Sequence, residues 1–209
     1  MPRPRSRTKP DPFLIREPRQ VRALASPVRQ EVLDVLMHAG ALPAGEIAER
    51  MGVAPDGLYF HLRLLERVGL VRRAGSTGAG RREAALWDVP GRPMVLDYEH
   101  GSSTASSRVR RLSPPLDAIL RLTRRDVRRA LARDQASFSG PRRDVWVARF
   151  RGKVSPSELE EINALLAQAA EIVRGARGGP GSRSVALTFA LLPTVESRAD
   201  RTPRTRKKS

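Results

Sequence analysis

Two short runs of apolar residues at helical spacing, separated by one glycine, constrain this chain more than any other feature. Ala44, Ile47, Ala48 and Met51 share one face of a helix predicted over Pro43 to Met51. Leu58, Leu62 and Leu65 share one face of a second helix, predicted to open at Pro55. Between them Gly52 suits the left-handed backbone of a tight turn, and Gly69 closes the second helix.

The flanking sequence extends this pattern in both directions. A helical pattern begins near Phe13 to Arg19 and continues through Val21 and Leu24. Ser26-Pro27 reads as a cap with proline at the first helical position. It opens a helix carrying Val28, Val32, Val35, Leu36 and Ala39 at helical spacing, ended by Gly40. After Gly69, Leu70-Val71 reads as a short strand, Ala74 to Gly80 as a hairpin tip and Glu83 to Val89 as the returning strand. Helix, helix, tight turn, helix and hairpin in that order are the plan of a winged helix-turn-helix.

The stretches ALASPVRQEVLDVL and GEIAERMGVAPDGLYFHLRLLERVGLVRR resemble the ArsR family of winged-helix repressors. The resemblance rests on Leu24, Pro27, Arg29, Val32, Leu33, Glu46, Ile47, Ala48, Leu58, His61, Leu62, Leu65, Gly69, Leu70 and Val71, and covers Pro18 to Pro90. It implies duplex DNA as partner, with the helix from Pro55 as the reading head. Ala54 stands where a capping Ser or Thr is common in the family, and Phe60 where a polar residue is common.

A recognition helix buries one face and offers the other to the major groove. With Leu58, Leu62 and Leu65 buried, Pro55, Asp56, Tyr59, Phe60 and Arg63 fall on the opposite side. Arg63 suits guanine or phosphate, and Tyr59 a phosphate or a thymine methyl. Gly57 removes a side chain in the first turn and admits close backbone approach. His61 lies on the leucine side and reads as a buttress. On the hairpin, Arg72 and Arg73 go up and Arg81 and Arg82 return, flanking a Gly-rich tip that suits phosphates or a narrow minor groove.

Charge supports a polyanionic partner without specifying one. The net charge is +17, but residues 1–12 carry +3 and residues 198–209 carry +5. The alternative class is therefore a sequence-nonspecific chromatin- or RNA-binding basic protein. With no cysteine, disulfides, zinc fingers and thiol chemistry are excluded. His38, His61 and His100 show no metal-ligand spacing and no catalytic arrangement, so no metal, cofactor or enzymatic activity is expected. The absence of a long apolar run and of a signal-peptide pattern leads to the expectation of a cytoplasmic, nucleoid-associated protein.

The expected class is α+β: an N-terminal winged helix-turn-helix followed by a small helix-strand-helix-strand module. The divisions are a disordered basic arm (1–12), the winged domain (13–90), a linker (91–112), the module (113–193) and a disordered basic tail (194–209). In the module, Ser113-Pro114-Pro115 is expected to start a helix running to about Asp134, with Leu116, Ile119, Leu120, Thr123, Val127, Ala130 and Leu131 as its core face. Strands are expected at Val145 to Phe150 and Val185 to Leu191. Ser155-Pro156-Ser157-Glu158 is a capping box for the helix between them. Two strands alone are not a stable sheet, so they are expected to pair with each other under the 155–174 helix or with a partner chain, and this half to dimerise or to sense a small-molecule effector. The expected function is a homodimeric regulator, acting by repression on an inverted-repeat operator.

Overall fold

A computed structural model describes residues 12–77, 83–101 and 104–194. The expected basic arm, apart from Pro12, and all but the first residue of the expected basic tail lie outside the described residues, as do Gly78 to Arg82. The chain divides into two compact units, 1–147 and 148–209.

In the first unit the elements run β1 (Phe13–Ile15), α1 (Pro18–Ala23), α2 (Pro27–Ala39), β2 (Leu42–Pro43), α3 (Ala44–Met51), α4 (Leu58–Arg67), β3 (Arg72–Thr77), β4 (Ala84–Asp88), β5 (Met94–Leu96) and α5 (Ala105–Leu131). The stripes read from spacing are the core: Val32, Leu33 and Leu36 of α2, Ala44, Ile47, Ala48 and Met51 of α3, and Leu58, Leu62 and Leu65 of α4 are all buried. Trp87, Val89, Leu70 and Val71 close it from the hairpin side. The wing is a three-stranded antiparallel sheet in the order β2-β4-β3, with Leu42 opposite Trp87 and Arg73 opposite Trp87 on its other side.

Several local expectations are corrected. Phe13 to Ile15 is not helical but a strand, paired in parallel with Met94–Leu96. Its helix starts only at Pro18, whose fixed φ suits a first helical position. Leu70-Val71 precedes β3 rather than forming a strand, because both side chains are drawn into the core. The expected linker contains β5 and the first turns of α5, which begins at Ala105 rather than Ser113. Thr104 caps it, its hydroxyl accepting from Ser107 N–H at 3.2 Å. Pro114 and Pro115 lie inside this helix, not at its start.

That helix belongs to the first unit. Arg125 grips Glu31 of α2 with two hydrogen bonds of 2.7 and 2.8 Å. Gln30, buried, donates to the carbonyls of Leu24 (2.6 Å) and Pro115 (2.8 Å). The unit boundary therefore falls at Val147, not at residue 113. The buried side of α5 is Leu112, Pro115 and Ala118, while Leu116, Leu120 and Leu131 of the expected core face are exposed.

In the second unit, α6 (Pro156–Gly175) starts at the expected capping box, with Ser155 Oγ accepting from Glu158 N–H at 3.3 Å. No residue of α6 is buried. Val145 to Phe150 and Val185 to Leu191 belong to no strand. Their apolar residues alternate, but neither stretch is built into a strand; Val145 N–H instead reaches the Ser137 carbonyl at 3.1 Å.

Candidate nucleic-acid interface

The turn that sets α4 against α3 is built as its glycine requires. Gly52 takes φ +65°, and Val53 N–H closes back onto the Ala48 carbonyl at 3.0 Å. The chain then passes through exposed Ala54, Pro55, Asp56 and Gly57 before α4 begins at Leu58. Pro55, Asp56 and Gly57 are thus a turn leading into the helix, not its first turn. Leu58 N–H reaches the Pro55 carbonyl at 3.0 Å, and Gly57 occupies the cap position without any side-chain cap. No atom lies within 4 Å of where a Cβ on Gly57 would stand, so the backbone here is open.

Along α4 the two faces separate cleanly. Leu58, Leu62 and Leu65 are at most 2% exposed, whereas Tyr59 is 49% and Phe60 67% exposed. Arg63 is exposed one turn further on. Leaving two aromatic rings in water costs hydrophobic free energy that covering this face would recover. Arg67, also exposed, follows Arg63 at i+4 and was missed in the sequence reading, although that spacing places it on the same side. The helix is held from below by Gln20 of α1, whose Nε2 donates to the Val68 carbonyl at 3.2 Å.

His61 occupies the seam between the faces. It is half-buried and meets Phe60 edge-on, with ring centroids 5.5 Å apart and planes at 74°. Burial, and then the positive charge of Arg29, hold its imidazole below the ordinary histidine value.

The wing arginines are not equivalent. Arg72 and Arg73 are both exposed at the base of β3. Arg73 is engaged: its Nε lies 3.3 Å from Glu66 Oε1 of α4, and its guanidinium sits 5.2 Å above the Trp87 ring. Arg72 makes only a long 3.5 Å approach to the Val89 carbonyl. Ser76 Oγ donates to Glu83 at 2.6 Å and ties the two strands beyond an irregularity in register between Arg73 and Ser76. Arg81 and Arg82 lie outside the described residues. The strand leaving the wing is anchored by Arg92, which donates to the carbonyls of Leu36 (2.7 Å) and Met37 (3.1 Å) and pairs with Asp88.

The structure therefore brings Tyr59, Phe60, Arg63 and Arg67 onto one open face, with Asp56 and Gly57 in the turn before it and Arg72 and Arg73 on the strand after it. Among the described residues no group of three His, Asp or Glu side chains is placed to hold a metal ion. No described helix is long and apolar enough to cross a membrane.

A family model for a helix-turn-helix domain matches residues 24–74, a minority of the chain. No curated protein matches. Among solved structures, the chain is similar to a transcriptional regulator homologue from Pyrococcus horikoshii OT3, with 22% identity over 48% of this chain and 86% of that one at a TM-score of 0.30. It is also similar to the YusO protein from Bacillus subtilis, with 15% identity over 73% of this chain and 79% of that one at 0.29. A mutant of ZitR from Lactococcus lactis shows 15% identity over 69% of this chain and 72% of that one at 0.25.

Proposed function

We propose that the helix-turn-helix domain matched over residues 24–74 makes this chain a DNA-binding transcriptional regulator of ArsR-like type, which lays α4 in the major groove of duplex DNA. The observation that carries the reading is the division of α4 into a fully buried leucine face and an open face of Tyr59, Phe60, Arg63 and Arg67. Arg63 reads a base or holds a phosphate beside it; Tyr59 and Phe60 offer apolar contact to thymine methyls. Pro55, Asp56 and Gly57 shape the approach of the backbone. Arg72, Arg81 and Arg82 supply phosphate contacts from the wing, whereas Arg73 positions the wing on α4 through Glu66 and Trp87. The protein acts in the cytoplasm as a homodimer on an inverted repeat, represses by occupying the site, and catalyses nothing. We assign the C-terminal unit to dimerisation rather than to effector sensing.

Binding to a selected duplex, followed by fluorescence anisotropy across a salt series, tests this. The expected slope of log affinity against log salt is steeply negative, because each neutralised phosphate contributes about −0.9. Arg63→Ala is expected to relax preference at one base position by about 1–3 kcal/mol, while Arg81→Ala with Arg82→Ala weakens all sequences evenly. A flat slope, or single-stranded RNA binding as tightly as any duplex, overturns the reading in favour of a nonspecific basic protein.

A further inference from the structure

Helix α5 carries eight arginines against two aspartates. The fold uses part of that charge. Arg125 is held between Glu31 and Asp126, Arg121 donates to the Ala25 carbonyl at 3.1 Å, and Arg111 donates to the Asp97 carbonyl at 2.6 Å. Arg124 and Arg128 are used differently. Both are exposed, and among the described residues neither forms an ion pair. Arg121, Arg124 and Arg128 follow one another at i, i+3 and i+7, so they form a ridge along one side of the helix. Asp117, exposed four residues before Arg121, marks its N-terminal limit. Like charges at these spacings repel, so the ridge destabilises the helix that carries it unless an anion lies along it.

The ridge adjoins α1. The bond from Arg121 to Ala25 fixes it at the corner that leaves α1, where Arg19 and Arg22 are exposed and, among the described residues, form no ion pair. Glu17, at the cap of α1, is the acidic exception on that helix. α1 packs against both α5 and α4, and Gln20 ties it to the Val68 carbonyl immediately after α4. At about 8–10 Å between packed helices, the ridge stands on the order of 20 Å from the axis of α4, or about six base pairs along B-DNA at ~3.4 Å each. On the reading of α4 as the helix that enters the major groove, we infer that Arg121, Arg124 and Arg128 hold the phosphate backbone of the duplex flanking the half-site, with Arg22 at the adjoining corner. Charge and spacing select this partner. The ridge spans about 10 Å of helix axis, the rise over which one strand sets down about three phosphates. A guanidinium offers five N–H donors in a fork that matches phosphate, so Arg121 keeps donors beyond the one given to Ala25.

Fluorescence anisotropy of the full chain tests this on two duplexes: a bare half-site, and the same half-site with about ten base pairs, one turn, added on each side. Arg124→Gln/Arg128→Gln removes two of the charges, and Arg124→Lys/Arg128→Lys keeps them. The parent is expected to bind the flanked duplex more tightly than the bare half-site, with a steeper fall of log affinity against log salt. The Gln variant is expected to match the parent on the bare half-site, which shows it folded. On the flanked duplex its slope is expected to be less negative by about 1.8, at about 0.9 for each lost phosphate contact. The Lys variant is expected to restore the parent's slope. A Gln variant with the parent's slope on the flanked duplex overturns the inference and returns the ridge to solvent, while a steep parent slope on the bare half-site leaves the reading of α4 standing. A Lys variant as weak as the Gln variant also overturns it, since these side chains would then act through packing rather than charge. A parent that binds no duplex at all overturns the reading of α4 and the inference with it.

Discussion

The two units of this chain follow the same local rules and reach opposite ends. In α3 and α4, which have no side-chain cap, apolar residues at helical spacing are fully buried; in α6, opened by a capping box, no residue is fully buried, Ile162, Leu166, Ala169 and Val173 are half-buried, and Leu159, Leu165 and Ile172 are exposed. The difference lies in what surrounds each stripe. The first unit brings three further helices and a three-stranded wing onto α3 and α4 within one chain. The second has one helix and two extended stretches, too little to enclose a core. Periodicity therefore states which face a segment must hide, but not whether its own chain supplies the cover.

The sharpest way to test this contrast is to truncate one leucine in each unit. Leu62→Ala, removing a buried side chain of α4, is expected to cost about 2–5 kcal/mol in denaturant unfolding of the first unit. Leu165→Ala on α6 is expected to leave that transition where it was and to alter only self-association. Comparable losses in the same transition would erase the distinction between the units.

A smaller effect probes the assignment of α5 to the first unit. Glu31→Gln removes the charge from a half-buried, two-bonded partner of Arg125, and about 1–2 kcal/mol of stability is expected to go with it. An unchanged midpoint would mean that α5 docks without this pair. Smaller again is Arg73→Ala, which removes an exposed ion pair with Glu66 and a cation–π contact with Trp87. Under about 1 kcal/mol of stability is expected to be lost, with a wider loss of affinity for every duplex as the wing drifts from α4. A loss confined to one base position would instead make Arg73 a reader.

The smallest effect is a pH dependence. His61 holds its proton less readily in the folded chain than in the unfolded one, so the unfolded state binds more protons as pH falls. The contribution is present above the unfolded value, about 6.5, and is lost as pH drops below it. In a melting series from pH 8 to 5 the midpoint of the parent is expected to drop relative to that of His61→Gln; Asp34, whose carboxyl burial pushes up to about 7, acts with the opposite sign but equally in both chains. Parallel curves would place the imidazole in an environment that does not resist its charge.

The sequence made the reading unit legible because its elements are short, amphipathic and punctuated by glycines at which the backbone turns left-handed, Gly52 and Gly69. It misled where tertiary contacts override local signals. Ser113-Pro114-Pro115 carries the pattern of a helix start, but Thr104 caps the helix upstream and both prolines are carried inside it. Phe13 to Ile15 joined the helical pattern that follows because the strand it pairs with lies far away in sequence, in a segment read as linker. On the wing, spacing grouped Arg72 with Arg73, yet Glu66 of α4 and the Trp87 ring engage Arg73 and tell the two apart.

The parallel pairing of β1 with β5 has a consequence in time rather than in space. Phe13 faces Met94 across a loop that contains the whole reading domain. A contact of such long sequence separation forms only once the intervening chain is already compact, since closing so large a loop early would find nothing to offset its entropy. The ladder is also three residues long on each side, with Leu14 and Val95 still partly in water. Last to form and lightly held, it is the seam at which the domain opens first, and its amides are expected to exchange with solvent well before those of α2 or α4.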